Sequence, residues 1–442
     1  MLAGCQIFPA NHIFNTRIDG LPVDPNSAAY LQTISTGTRY LHMDLGQTED
    51  MTSASYWGIP YNLVAGSKTP WQRVNYAGGW PDESDCAATD HSVVSPCTNT
   101  SAPLMPIPTA PLVEGGISGD QSNYGDHHLL VLDTDSCRLW ENYHAYTDPS
   151  SGWDVLSTAE FDMHSTALRP AGWTSTDAAG FPVMPLLMKA DEASTGQINH
   201  ALRFTIQSSK IRNTYIWPAR HLTSNGDGST SKPPMGQLFR LKASYVIPAS
   251  FPTQARAILT AMKQYGMYIA DGGSDMYVQG DPNTNWGSDT ISAVQTVPHT
   301  AFEAVDITAI TNRPGFDPNS AAVPPMAGAF AITPTVAGSA SNLTLGATIT
   351  AASADASKSG QLYVAALLPS TGQIYSLTST GWQAVSGLSL LPYASVTLGT
   401  HTISIANQLN VSGLTGLQVY AGYGLNLSDM LSGAKYAELY GL

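Results

Sequence analysis

Asp126-His-His-Leu-Leu-Val-Leu-Asp-Thr-Asp-Ser-Cys-Arg-Leu-Trp-Glu-Asn-Tyr-His-Ala-Tyr146 reads as two strands on either side of a turn. His128 to Leu132 is a short apolar run and Arg138 to Tyr146 a longer, mixed one, while Asp133-Thr-Asp135 between them is turn-forming. Similar runs at Ser55 to Leu63, Glu160 to His164, Ile198 to Ile206, Thr214 to Pro218, Gln237 to Val246 and Tyr268 to Ala270 predict further strands. One helix is clear: Pro252 suits a first turn, Ala255, Ile258, Leu259 and Met262 repeat at helical spacing, and Tyr265-Gly266 closes the run. A second is expected near Asn26 to Thr33. The pattern predicts a mainly β protein whose main domain is a β-sandwich or jelly roll with one or two peripheral helices.

The character of the chain changes near residue 312. All four cysteines, ten of the eleven histidines and eight of the nine tryptophans lie before it. Asn312 to Ala331 holds Asn-Arg-Pro-Gly-Phe-Asp-Pro and Val323-Pro324-Pro325, which reads as a Pro-rich linker. Beyond it, 332–442 carries only Asp355, Lys358, Asp429, Lys435 and Glu438 as charged side chains, with apolar runs at regular spacing between Gly, Ser and Asn. That rhythm predicts a small antiparallel β-sandwich. The expected domains are thus 1–311, a linker 312–331 and an accessory module 332–442. Tyr363, Tyr375, Trp382, Tyr393, Tyr420, Tyr423, Tyr436 and Tyr440 of that module are either its core and edge or a platform for sugar rings.

The 442 residues carry a net charge of −14 and only 12% charged side chains, against 39 glycines and 29 prolines. Nucleic acid is excluded as a partner, because phosphate backbones need clustered Lys and Arg and the 19 here are scattered. No run of 18 apolar residues predicts a membrane span. The opening residues lack a charged segment followed by an apolar one, so an export signal is expected to have been removed. Four cysteines allow three pairings; Cys86 with Cys97 and Cys5 with Cys137 are favoured, placing the protein in an oxidising, extracellular or cell-surface setting. The alternative for Cys5 is lipid anchoring, since Leu2-Ala3-Gly4-Cys5 resembles a lipobox.

Gly4-Cys-Gln-Ile-Phe-Pro-Ala-Asn11, Leu168-Arg-Pro-Ala-Gly-Trp-Thr-Ser-Thr-Asp-Ala-Ala-Gly180, Asn199-His-Ala-Leu-Arg-Phe204, Ile216-Trp-Pro-Ala-Arg-His221 and Tyr265-Gly-Met-Tyr-Ile-Ala-Asp-Gly-Gly273 resemble, as a set, a group of uncharacterised exported bacterial proteins. The likeness spans most of 1–305 and implies export, without a mechanism. Gly360-Gln-Leu-Tyr-Val-Ala-Ala-Leu-Leu-Pro369 and Tyr423-Gly-Leu-Asn-Leu-Ser-Asp-Met-Leu431 resemble accessory β modules of secreted bacterial proteins.

Six histidines fall between Asp126 and His221 (His127, His128, His144, His164, His200 and His221), so chemistry is expected there. Glu160-Phe-Asp162-Met-His164 sets three polar groups on one strand face. It resembles the Glu-x-Asp-x-Glu strand of retaining jelly-roll glucanases, which implies a nucleophile at Glu160 tuned by Asp162. His164 replaces the acid/base, which would then come from elsewhere. A second constellation is distributed over predicted strands: His128, Glu141, His200, Arg203 and His221. His200 shares a face with Leu202 and Phe204, opposite Arg203, and is either a core histidine or a general acid or base. Arg203 and Arg220 could hold a uronate carboxylate. His128, His200, His221 and Glu141 could alternatively hold a metal, although their spacing carries no zinc signature. Asn225, Asp227 and Ser229 resemble the start of a calcium loop but lack its closing Glu, so no cofactor is expected, with a structural calcium ion as the alternative.

No Gly-x-Ser-x-Gly elbow, His-Glu-x-x-His or phosphate-cradling Gly loop is present, which sets esterase, zinc protease and nucleotide chemistry aside. The expectation is a secreted polysaccharide-active enzyme, a glycoside hydrolase ahead of a polysaccharide lyase. Its acid/base candidates are Glu141, Asp162, His200 and His221, and its substrate contacts His128, Trp173, Arg203, Trp217 and Asp271. The alternative is a non-enzymatic glycan-binding protein of lectin or adhesin type.

Overall fold

The computed structural model describes residues 2–35, 40–46, 58–76, 78–116, 126–148, 152–325, 330–369, 371–433 and 435–442. The fold is mainly β. Leu129–Asp133 is the strand around which the main domain is layered, and every one of its residues is buried. Alternation explains why. Leu130 and Leu132 join one core together with Leu202, Phe204, Met267 and Ile269, while Leu129 and Val131 join another with Trp140, Trp153 and the Cys86–Cys97 pair.

Leu129–Asp133 lies in a four-stranded sheet between Arg138–Tyr143 and Tyr61–Val64, with Ser157–Asp162 at its edge. Of the expected run Ser55 to Leu63, residues 55–57 lie outside the described residues, 58–60 are not strand, and the strand is Tyr61–Val64. On one side of this middle sheet is a six-stranded mixed sheet in the order His42–Asp44, Tyr277–Gln279, Leu202–Ile206, Met267–Gly272, Leu238–Leu241, Phe302–Ala304. On the other are short strands including Trp71–Asn75, Leu104–Pro106 and Gly152–Asp154. Arg138 to Tyr146 is not one strand, because His144 takes a positive φ of 56° and Tyr146–Asp148 pairs in the outer sheet.

The helix Thr253–Gln264 follows Pro252 as predicted and packs on Leu238–Leu241, burying Ala255, Ile258, Leu259 and Met262 completely. Ser27–Ile34 forms the second expected helix, and three shorter ones (Ala190–Ser194, Ser288–Val294, Thr308–Thr311) accompany them. No helix among the described residues is long and apolar enough to cross a membrane.

The segment after Asn312 is not a free tether. Arg313 Nη1 donates to the Pro324 carbonyl at 2.8 Å, Val323 N to Asn11 O at 2.8 Å, Ala321 N to Thr166 O at 2.6 Å and Trp217 Nε1 to Ser320 O at 2.9 Å. Pro-rich composition removes internal secondary structure, and the remaining backbone groups are satisfied by docking on the main domain. Residues 326–329 lie outside the described residues. The C-terminal module is two antiparallel sheets, one of three strands (Ala331–Ala337, Leu343–Thr350, Thr400–Leu409) and one centred on Ser359–Leu368 and Gln418–Gly424. Leu343–Thr350 alternates buried and half-buried, and both sheets supply a common core. Tyr423 and Tyr440 belong to that core and Tyr363 is buried outside it, leaving Trp382 and Tyr436 exposed.

Cys5 pairs with Cys137 and Cys86 with Cys97, the connectivity favoured from sequence. The Cys5 sulfur is thus engaged in tying the N-terminal segment to the turn after Leu129–Asp133.

Candidate functional site

A cleft of about 260 Å³ opens at the ends of three strands, where Tyr143, Ser157 and Asp271 meet the loop 174–180. The loop is shaped by its own short polar side chains. Ser175 Oγ accepts from Asp177 N at 3.0 Å and donates to Phe181 O at 2.6 Å, and Asp177 Oδ1 accepts from Ala179 N at 2.6 Å. Gly180 closes it at φ +74°, where a Cβ would stand 2.9 Å from the Trp173 carbonyl oxygen and 3.2 Å from Arg220 Cβ, so no side chain fits. Backbone bonds from Ala179 N to Ala270 O (3.0 Å), and from Arg220 N and His221 N to Ala179 O (2.8 and 3.2 Å), then stitch the loop to the strand bearing Asp271 and to the segment bearing His221.

The floor holds two carboxyls. Asp177 is sealed from solvent and Asp271 is 29% exposed at its side chain. Arg203, 1% exposed on the Leu202–Ile206 strand, directs Nη2 to Asp177 Oδ2 at 2.6 Å and stands 4.0 Å from Asp271 Oδ2. Burial, then the neighbouring Asp177, push the Asp271 carboxyl well above the ordinary carboxylate range, with Arg203 opposing. Burial also raises Asp177, less far, because Arg203 holds it more closely. Asp126 and Tyr143 face each other across one wall at 3.5 Å, and burial, then Asp126 and Asp271, raise the Tyr143 hydroxyl. On the rim Trp80 is 46% exposed, and Glu83 Oε2 accepts from Thr174 N at 3.0 Å. His221 turns Nδ1 to the Ala178 carbonyl at 3.0 Å. No lysine or arginine lines the cleft among the described residues.

Beneath the floor lies a polar layer. Thr176 Oγ1 donates to Glu141, which also accepts from Val183 N and Met184 N at 2.9 Å each and is wholly buried. His128 bridges Glu114 (2.6 Å) and the Thr176 carbonyl (2.8 Å). Burial works against a charge on His128, but contact with Glu114 outweighs it and raises the imidazole to about 9. The folded state thus holds this proton more tightly than the unfolded chain, whose histidine titrates near 6.5. The resulting stabilisation, roughly 3 kcal/mol, is complete below pH 6.5 and is lost as pH rises through 9. Glu114→Gln should accordingly cost stability at pH 6 and little at pH 10 in denaturant midpoints; an equal loss at both would refute the ion pair.

Of the residues singled out from sequence, Asp271, Arg203 and His221 come together here. Glu141 and His128 lie one layer below, where they brace the loop and cannot touch a substrate. The others lie elsewhere. Asp162 sits on the opposite end of its strand and pairs with Arg138 at 3.3 Å. Glu160 pairs with the same guanidinium, and burial pushes its carboxyl to about 7 although Arg138 opposes the rise. His200 bonds Glu192 at 3.0 Å and lines a different cavity, beside Lys189 and Tyr440. Trp173 is covered by the Arg169 guanidinium at 5.7 Å, and Trp217 packs edge-on against Phe316. Arg220 is consumed by the carbonyls of Arg169 and Pro318 and by Asn319, and Arg203 is buried with Nη2 on Asp177, so neither reaches a uronate in the cleft. His128, His200 and His221 do not converge, and no group of three or more His, Cys, Asp or Glu suited to a metal is found among the described residues. Asp227 caps Ser229 N at 2.9 Å and faces Lys232 at 3.3 Å, an ordinary turn.

Sequence reasoning did not single out Asp177, Tyr143, Glu83, Trp80 or Asp126. The signal for Asp177 was the Thr174-Ser-Thr-Asp-Ala-Ala-Gly180 run, rich in residues that bond their own backbone. Protein-family models, curated proteins and solved structures give no match to the chain. The functional reading stands on the cleft itself.

Proposed function

We propose that the protein is a glycoside hydrolase acting at the Asp126–Asp271 cleft. The observation that carries this reading is a carboxyl, Asp271, held protonated toward neutrality by burial and a like charge, at the floor of a cleft whose other wall offers a second, exposed carboxylate. Asp271 gives its proton to the glycosidic oxygen as the bond to the anomeric carbon breaks. Asp126, steadied by Tyr143, takes a proton from the water that adds to that carbon. Trp80 offers the aromatic face on which a sugar ring stacks, so Trp80→Ala should raise KM about tenfold with kcat little changed.

Hydrolysis is preferred to β-elimination because no described cation of the cleft can hold the uronate carboxylate that elimination requires. An exported, disulfide-bonded protein acting on a polysaccharide outside the cell accords with Cys5–Cys137 and Cys86–Cys97. Screening plant, fungal and bacterial polysaccharides for released reducing ends tests the reading. Saturated products support it; 4,5-unsaturated ends would replace it by a lyase, and retardation in affinity gels without product by a glycan-binding protein.

A further inference from the structure

We propose that Arg203 is the positioning residue that decides which of the two facing carboxyls carries a proton: by binding Asp177 it fixes that group as the anion and leaves the proton on Asp271, the carboxyl open to the cleft. This deepens the hydrolase reading, and its test does not depend on it.

The geometry is asymmetric. Arg203 Nη2 lies 2.6 Å from Asp177 Oδ2 and 4.0 Å from Asp271 Oδ2, a hydrogen bond in one case and mere proximity in the other. Nε and Nη1 of Arg203 are buried and have no hydrogen-bond partner among the described residues, so Asp177 is the single group bonded to this guanidinium. A buried cation left without its anion is costly, and protonating Asp177 would create that situation. Asp177 also accepts from Ala179 N at 2.6 Å, a bond that strengthens with negative charge. Asp271 has less support, from Ala178 N at 3.4 Å and Gly272 N at 2.7 Å. Two carboxylates facing one guanidinium nitrogen cannot both ionise cheaply, and the less supported one retains the proton.

The surrounding groups preserve this order. On the cleft side Asp126 adds negative charge next to Asp271, while Tyr143 and His221 complete the wall. Below the loop, Glu141 adds to the negative field on Asp177, and His128 and Glu114 oppose each other in sign. Along the sheet the neighbours are Tyr268, in register beside Arg203, and Asp44, in register beside Gln279; burial, then Glu114, raise the Asp44 carboxyl to about 6. The Tyr268 hydroxyl and Gln279 Oε1 are buried without partners among the described residues, so neither bonds Arg203.

Site-assigned 13C NMR titration of the aspartate carboxyls in the full chain tests this without any substrate. Asp271 should titrate above Asp177 in the native protein. Asp177→Asn removes the like charge and frees Arg203, and should lower the Asp271 midpoint by roughly one to two pH units. Arg203→Lys, which retains the cation, should keep the native order. An unchanged Asp271 midpoint in Asp177→Asn, or Asp177 titrating above Asp271 in the native chain, would overturn the proposal. Should Asp177→Asn fail to fold, the native order alone decides. A negative polysaccharide screen together with the expected titration would reject the hydrolase and leave the role of Arg203 standing; cleavage together with an inverted order would do the reverse.

Discussion

Asp271→Asn is expected to lower glycan cleavage by about 10²–10⁴-fold while leaving affinity for the uncut glycan within a few-fold. The substitution keeps the size of the side chain, and its one amide oxygen can retain the 2.7 Å bond from Gly272 N, at the loss of the longer 3.4 Å contact from Ala178 N to the other oxygen. The loop 174–180 stays anchored on the strand through Ala179 N and the Ala270 carbonyl. What disappears is the one carboxyl of the floor that both retains a proton toward neutrality and opens to solvent. Because this carboxyl sits far above the usual range, cleavage by the native protein should persist toward neutral pH and fall as Asp271 loses its proton. Asp162→Asn, on a strand face bonded to Arg138, should behave as native. Initial rates on the polysaccharide found by screening, with binding of the same glycan measured separately, decide the matter. Native-like rates in Asp271→Asn would exclude the residue as the acid.

The second large effect concerns stability. Cys5 and Cys137 are 132 residues apart in sequence, against 11 for Cys86 and Cys97. Loop-closure entropy then assigns about 5 kcal/mol to the first bridge and about 3 kcal/mol to the second. Paired Cys→Ser replacements should therefore lower the denaturant midpoint of the main domain more for Cys5–Cys137. Local packing points the same way, since Cys5 and Cys137 are buried in the larger core and hold the segment of Phe8, Ile13 and Phe14 against it. A larger loss on removing Cys86–Cys97 would show that the local staple, and not the long-range one, limits unfolding.

How far the sequence speaks differs from residue to residue. Leu129–Asp133 was legible because an apolar run of strand length can satisfy two cores only from the middle of a stack. The Thr253–Gln264 helix was legible through its period, and the two disulfides through the brevity of the Cys86 to Cys97 excursion. His200 and Arg203 do part, although not by alternation: the strand begins at Leu202, so His200 lies in the segment before it and pairs with Glu192 at a distant cavity, while Arg203 lies under the cleft. Alternation gives a face, however, and not a depth. Glu141 does fall on a strand as expected, yet three donors hold it below the floor, which no local pattern encodes. Glu83 and Trp80 arrive from about ninety residues before the loop they meet, through the bond from Thr174 N. Asp177 owes its position to a loop conformation set by Ser175 and Gly180, residues that in isolation announce only a turn.

The middle sheet gives the domain a shared wall. Leu130 and Leu132 on one side and Leu129 and Val131 on the other belong to different cores, so neither core can loosen without uncovering the same strand. Melting of the two is thereby made a single event. Tyr143 ends the neighbouring strand of that wall and Ser157 begins the next, so two sides of the cleft are suspended from the least yielding part of the molecule. Substitutions that loosen either core should therefore be felt at the Tyr143 and Ser157 sides of the cleft.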